Sequence, residues 1–206
     1  MTVGLVNFGL YFAYIGVLFS TLVLFLGDLE LSVMGLDAQG TSGMLMAITV
    51  MSGAVFTLGG GILSDHLGAR VPVLIGFLAV ACVGFVVLAV AGTIAAIAVA
   101  CVLIGMGQGG IGGPLTALLA DLTPDERMGR AVGTNNVLGD VGGGLGPLVS
   151  LPLVEVVGFT PVYALSAIVP LLTALTLVAG VYHHTGAFNP GVGEVGDPGA
   201  EVGGGP

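Results

Sequence analysis

One carboxylate lies deep in an apolar segment near the end of the chain. Asp140 follows Arg130 by ten residues, which on a helix corresponds to about 15 Å, close to the middle of a bilayer. A charged group at that depth costs about 2.5–3.5 kcal/mol on insertion scales, so such groups are usually functional. Asn136 lies one turn earlier on the same helical face, with Asn135 beside it. We expect this face to line a central pathway in which Asp140 binds a proton, a cation or a polar substrate group; the alternative is a protonated carboxylic acid bonded to a neighbouring helix.

Other polar side chains interrupt apolar segments elsewhere. Asn7, Tyr11 and Tyr14 are spaced to share one face of the first helix, and Gln108 lies within the fourth. Each is a candidate for contact with a ligand in the pathway. The competing interpretation is an interhelical hydrogen bond, which is the more common use of polar side chains in membrane helices.

The segments that carry these residues are too apolar for a protein dissolved in water. Hydrophobic residues make up 55% of the 206 residues and charged residues only 7%, against about 25% charged in soluble domains. Backbone polar groups in lipid must be paired within each segment, which predicts an all-α, polytopic membrane protein. The six predicted transmembrane helices span about 5–26, 43–63, 71–91, 94–119, 128–157 and 161–182.

Composition also argues against several other functions. The chain has no Lys and only three Arg, with a net charge of −9, so a basic nucleic-acid surface is not expected. Cys82 and Cys101 lack metal or redox spacing and are interpreted as apolar packing residues. No metal site or cofactor is predicted.

Ser42 lies in a Gly-x-Ser-Gly sequence and His184 follows late in the chain, a combination that could suit an intramembrane protease. A nucleophile and its base must approach to about 3 Å. The predicted topology places Ser42 and His184 at opposite membrane faces, about 30 Å apart. We therefore expect no enzyme and interpret Ser42 as the N-cap of the second helix.

The arginines predict the orientation in the membrane. Arg70 lies between helices two and three, and Arg127 and Arg130 lie between helices four and five, so all three belong to loops on one side. The positive-inside rule makes that side cytoplasmic and places both termini there, in a multi-pass protein of the cell membrane. Residues 1–182 form the predicted bundle, and the acidic, Gly- and Pro-rich residues 183–206 form a predicted disordered tail.

The loop between helices two and three has the form G-x3-D-x2-G-x-R, built on Gly61, Asp65, Gly68 and Arg70. Glycines permit a tight turn and close helix approach, and the Asp and Arg can form a charged latch at the membrane face. The spacing and position resemble the signature loop of the major facilitator superfamily, which lies between the second and third helices of each six-helix half. The resemblance implies a role in gating.

Helices four and five extend this resemblance. Arg127 and Arg130 lie in a sequence similar to the family's entry into the next helix, and Gly142, Gly146 and Pro147 resemble the glycine–proline motif of antiporter-type members. In this chain Ser150-Leu151 replaces the following glycine pair. Pro147 and Pro152 predict a bent or locally unwound fifth helix.

Two departures from the family pattern favour the C-terminal half. Residues 101–104 lack the arginine common in the fourth helix of an N-terminal half, and His66 stands where Arg is common in the signature loop. The chain also ends soon after its sixth helix. The resemblance implies two inverted three-helix repeats and a second six-helix half, in a longer chain or by dimerisation.

The implied function is secondary transport of a small solute by alternating access in the lipid bilayer, with proton or cation coupling as an option. The competing hypothesis is a truncated or half-size membrane subunit that does not transport by itself and acts as a structural partner.

Overall fold

A computed structural model describes residues 2–185 of the chain. It confirms the all-α prediction: six helices in these residues are long and apolar enough to cross a membrane, and no strand occurs among them. We label them α1 to α6, with a short 3₁₀ turn at Asp125–Arg127 before the fifth. Their ranges are Thr2–Asp28, Ala38–Leu67, Arg70–Ala89, Ile94–Asp121, Met128–Val157 and Phe159–Thr185.

Several helices extend beyond their apolar cores because polar residues cap or continue them. Helix α2 begins at Ala38 rather than near residue 43, since the Asp37 carboxylate accepts a hydrogen bond from the Gly40 N–H at 2.7 Å. The prediction that Ser42 caps this helix is therefore wrong. Ser42 lies within the helix, where its hydroxyl donates to the Gln39 carbonyl at 2.8 Å. Helix α6 continues to Thr185, and the rest of the predicted tail, residues 186–206, lies outside the described residues.

The helices pack as two interleaved units of three. Helices α1 and α4 lie at the centre, with α3 and α6 packed on one side and α2 and α5 on the other. The first unit is α1–α3 and the second is α4–α6, with α1 equivalent to α4, α2 to α5 and α3 to α6. The contacts between helices follow this equivalence: α1 packs on α5 as α4 packs on α2, and α4 packs on α3 as α1 packs on α6. Because each helix is followed three membrane crossings later by its equivalent, the second unit has the opposite orientation in the membrane. The predicted inverted repeat is confirmed.

Small residues bring the crossing helices into backbone contact. A Cβ added to Gly16 of α1 would lie 2.6 Å from the Cα of Gly146 in α5, closer than van der Waals radii allow. In the equivalent pair, a Cβ on Gly60 of α2 would collide with the backbone of Gly110 in α4. Without a hydrophobic driving force in lipid, such close backbone packing is a principal source of helix association.

The two outer helices on one side remain largely uncovered. Within their apolar windows α2 and α5 are each 22% buried, compared with 61% for α1 and 50% for α4. Large side chains such as Met51, Leu58 and Leu148 are exposed along them. This face, which we call the open face, is formed by α2 and α5 on either side of the α1–α4 pair.

The irregular helix is α1, not α5. Residues Phe12–Phe19 form a π-helical segment within α1, whereas α5 remains α-helical through Pro147 and Pro152. The expected local unwinding of α5 is therefore absent. The Gly16–Gly146 contact lies inside the π-helical segment, so the departure from α geometry falls in the helix that packs against the prolines.

Candidate functional site

The signature loop joins three helices through one arginine. Arg70, the first residue of α3, donates from Nη1 to the Asp65 carboxylate at 2.9 Å and from Nε to the Asp121 carboxylate at 2.7 Å. It also donates to the Ser64 hydroxyl at 3.1 Å. Its side chain is only 12% exposed, so the guanidinium is largely withdrawn from solvent and paired on two sides. The ends of α2, α3 and α4 are fixed together at this point.

The glycines of the loop have the roles expected of their positions. Gly68 ends α2 with φ of 57°, the left-handed conformation that favours glycine. Gly61 lies against α4, where a Cβ on Gly113 would be 3.3 Å from its Cα. The turn and the close helix approach are thus both present.

Asp121 was not identified from the sequence. It lies 51 residues from Arg70 and becomes its partner only because α4 packs against α3 along its length. With 35% of its side chain exposed, against 69% for Asp65, it is the more shielded of the two carboxylates. Asp121 is the last residue of α4 and lies at the same end of the bundle as Arg70. That position is the feature of the sequence that could have identified it as a partner of Arg70.

A cavity of about 790 Å³ opens at the same end of the bundle. It is lined by the first turn of α1, the end of α4 and the first three turns of α5. Its walls combine apolar side chains with polar groups from the α4–α5 connection; they include Val3, Leu119, Leu122, Thr123, Arg127, Arg130, Thr134, Asn135 and Leu138. The cavity therefore lies where α1, α4 and α5 meet.

Arg127 and Arg130 both line this cavity and are exposed. Within residues 2–185 neither forms an ion pair; the salt bridges there belong to Arg70. Asp125 and Glu126 lie in the same turn as Arg127 but are directed to solvent without pairing with it. Two of the three arginines in the chain are therefore available at one cavity.

Asn7 and Asn135 meet at the inner wall of the cavity. Asn7 is 9% exposed, and its Nδ2 donates to the backbone carbonyl of Asn135 at 2.9 Å. The Asn135 Oδ1 is buried and accepts no hydrogen bond from the described residues. Tyr11, half-buried on the next turn of α1, lies against Gly139. These residues form a polar contact between α1 and α5.

Asn136 and Asp140 lie outside this contact. Both are exposed, whereas Asn135, Gly139 and Gly142 face α1. The structure therefore separates Asn135 from the exposed Asn136–Asp140 pair that the sequence placed beside it.

Gln108 and Tyr14 occupy the interior instead. Both line a cavity of about 10 Å³ between α1, α3, α4 and α6, which is about the volume needed for one water molecule. Gln108 is half-buried and Tyr14 is buried. Neither lines the large cavity in this conformation.

Gly142 and Gly146 lie in the contact between α5 and α1. A Cβ on Gly142 would collide with the Phe8 carbonyl, and one on Gly146 with the Gly16 Cα. Pro147, the next residue, is half-buried beside this contact. Among residues 2–185, no group of three or more His, Cys, Asp or Glu side chains could hold a metal ion.

The arrangement is suited to binding and to conformational change. A paired arginine joins the ends of three helices, and two unpaired arginines line a cavity at the same end of the bundle. The helices cross at positions where only glycine fits. A sequence profile described as Major Facilitator Superfamily matches residues 2–147 of the chain. This match covers most of the six helices.

A curated relative supports the same assignment. The chain is 35% identical over 106 residues to the inner membrane transport protein YajR of Escherichia coli strain K12, covering 50% of this chain and 23% of the relative. The chain thus spans about a quarter of that protein.

Solved transporter structures share the fold. A POT family transporter in complex with 5-aminolevulinic acid matches with a TM-score of 0.77 at 16% identity, covering 88% of this chain and 37% of that one. The inward-open xylose transporter XylE of E. coli matches with a TM-score of 0.63 at 21% identity, covering 86% and 46%. This chain therefore corresponds to less than half of each.

Proposed function

The chain belongs to the major facilitator superfamily, and on that premise we propose that it works as one six-helix half of a secondary transporter. The half would move a small solute across the bilayer by alternating access, with no enzymatic step. The observation that carries the proposal is the large cavity lined by α1, α4 and α5, the last of which is also one of the two sparsely buried helices.

The low burial of α2 and α5 supports the need for a second half. Each is 22% buried although it carries exposed polar groups at membrane depth, including Asn136 and Asp140 on α5. Polar groups facing lipid are unfavourable. A second six-helix half on the open face would cover them and close the cavity into a pathway, with α2 and α5 at its edges.

We further propose that this is the C-terminal half, with the arginine-bearing end and both termini cytoplasmic in the cell membrane. The support is the sequence pattern: no arginine occurs in residues 101–104, and Arg70, Arg127 and Arg130 belong to loops on one side. In this orientation the large cavity faces the cytoplasm.

Asp140 is our candidate for the coupling or substrate-binding group. It is exposed, as Asn136 is, and it follows the cavity-lining Leu138 by two residues on the same helix. A carboxylate there would lie between the two halves of the transporter. Gln108, Tyr11 and Asn7 would support the walls from α4 and α1.

The test is uptake into proteoliposomes across a panel of anionic, neutral and cationic solutes, with and without a pH gradient. The chain would be reconstituted alone and together with any six-helix segment encoded upstream in the same frame. We expect solute uptake, and expect Asp140→Asn to abolish its dependence on the pH gradient. Asp125→Asn, which removes an exposed carboxylate from the adjoining turn, should leave uptake unchanged.

Unaltered uptake and pH dependence in Asp140→Asn would refute the role given to Asp140. Absence of uptake under every condition would favour the second candidate, a non-transporting membrane subunit that acts through a partner. Sedimentation of the purified protein would then distinguish a paired species from a single copy.

A further inference from the structure

The distribution of positive charge in the described residues is uneven. Arg70 is held by two carboxylates, whereas Arg127 and Arg130 have no acidic partner within residues 2–185 and both line the large cavity. The chain as a whole is acidic, with 12 Asp and Glu against 3 Arg. Two unpaired arginines in one cavity therefore form a positively charged region on an otherwise acidic chain.

The cavity walls define the rest of the site. Thr123 and Thr134 add hydroxyl groups beside the arginines, and no Asp or Glu lines the cavity. Opposite the polar groups lie Val3, Leu119 and Leu122. A guanidinium binds carboxylate or phosphate oxygens through paired N–H donors, which gives both energy and orientation. The lining therefore suits an anionic group attached to a small organic body.

We infer that the cavity between α1, α4 and α5 binds the anionic group of an organic solute through Arg127 and Arg130. The inference rests on the proposed function and deepens it, since the solute of this half is then an organic anion. The ligand is a carboxylate or phosphate monoester whose carbon skeleton packs against Val3, Leu119 and Leu122.

The size and enclosure of the cavity favour a solute over a lipid. Its walls come from three helices, α1, α4 and α5, and from the connection between α4 and α5. A volume of about 790 Å³ is also within the range of sites for small organic ligands. Anionic lipid headgroups present the same phosphate chemistry, so the experiment must separate the two sources.

The experiment measures binding to the purified full chain in neutral detergent, independently of transport. Thermal unfolding is followed with a thiol-reactive dye, because Cys101 is fully buried and Cys82 is half-buried within the membrane helices. Glycerol 3-phosphate is the anionic probe; glycerol and choline are the neutral and cationic controls. At saturation we expect glycerol 3-phosphate to raise the unfolding midpoint by about 3 °C, and the controls to leave it unchanged.

Variants assign the effect to the cavity. Arg127→Gln combined with Arg130→Gln should raise the apparent Kd for glycerol 3-phosphate at least about tenfold. Arg127→Lys with Arg130→Lys, which keeps the charge, should retain part of the affinity. Arg70→Gln removes the arginine outside the cavity; it should lower the baseline midpoint but leave the ligand-induced rise intact.

A second arm replaces the free phosphate with mixed micelles of phosphatidylglycerol or phosphatidylcholine. An arginine-dependent rise with phosphatidylglycerol, and none with glycerol 3-phosphate, would overturn the solute assignment in favour of a lipid headgroup. No rise with either anion, or a rise that survives the Arg→Gln pair, would overturn the site itself. Binding without uptake in proteoliposomes would instead count against the transport proposal alone.

Discussion

The α2–α4 and α1–α5 contacts are equivalent by the inverted repeat, yet they are built differently. Both rely on glycine, and each contains one interhelical bond to a backbone carbonyl: Ser52 to Val102 at 2.9 Å in the first and Asn7 to Asn135 at 2.9 Å in the second. The α1–α5 contact adds a hydroxyl pair, Ser20 and Ser150 at 3.3 Å.

The difference extends to the backbone. Helices α2 and α4 are α-helical throughout, whereas α1 contains the π-helical segment Phe12–Phe19 where it crosses α5. The α1–α5 contact also holds a buried acceptor without a partner, the Asn135 Oδ1. The comparison teaches that the two repeats meet through one close contact between regular helices, α2–α4, and one more polar contact with an irregular helix, α1–α5. The large cavity is walled by that second contact.

The largest effect is expected in the regular contact. Gly109→Val would place its side chain into the backbone of Gly53, in a pair of helices that are α-helical throughout and have no irregular turn to absorb it. We expect destabilisation of about 3 kcal/mol, measured by thermal unfolding in detergent. Gly112→Val on the same helix, where nothing lies within 4 Å, is the control and should change stability by less than about 0.5 kcal/mol.

Gly146→Val tests whether the π-helical segment provides relief. Its side chain would collide with Gly16, but the irregular turn of α1 can shift to accommodate part of it. The expected loss is about 1.5 kcal/mol, half that of Gly109→Val, with Gly144→Val as the matched control because its surroundings are open. Equal losses at Gly109 and Gly146 would remove the distinction between the two contacts.

Removing the two interhelical side-chain bonds compares the contacts at smaller scale. Asn7→Ala and Ser52→Ala each eliminate a bond to a carbonyl of the neighbouring helix. Such bonds contribute about 0.6 kcal/mol on average in membrane proteins. We expect Asn7→Ala to cost more than Ser52→Ala, because the Asn7 side chain is buried whereas the Ser52 bond is exposed; chemical unfolding in mixed micelles would measure both.

The smallest expected effect concerns the charged end of the first unit. Asp121→Asn weakens the pair with Arg70, and we expect a loss of about 0.5 kcal/mol. Asp65→Asn should lose less, because that carboxylate is 69% exposed while Asp121 is 35% exposed. A larger loss in Asp65→Asn would show that the Arg70–Asp65 pair, and not the Arg70–Asp121 pair, contributes more to stability at this end. Thermal unfolding of both variants would be measured at low and high salt, because screening by salt weakens the ionic part of each pair.

Sequence reasoning succeeded where the signal was local. Apolar segments long enough to span a bilayer predicted all six helices. The ion pair in the loop was also predicted, because Asp65 and Arg70 are only five residues apart. Asp121 and the large cavity depend on which helices pack together, a long-range outcome that spacing along one helix does not encode. The face of α5 that meets α1 is chosen by Gly139, Gly142 and Gly146.

The sequence also did not predict which helix is irregular. Pro147 and Pro152 suggested a break, but a membrane helix can tolerate proline when neighbouring groups compensate, and α5 stays continuous. Residues Phe12–Phe19 contain no proline and only one glycine, so nothing local marks the π-helical segment. It arises where the backbones of α1 and α5 meet.

The π-helical segment has a consequence for comparing this chain with others. A π turn closes its hydrogen bond one residue later than an α turn, so Phe12–Phe19 accommodates additional chain length without lengthening the bundle. Residues before and after it, such as Asn7 and Ser20, consequently do not follow a single helical wheel. When α1 is aligned with a homologue whose first helix is regular, the gap belongs between residues 12 and 19, and a gapless alignment would assign the wrong residues to one side of the segment.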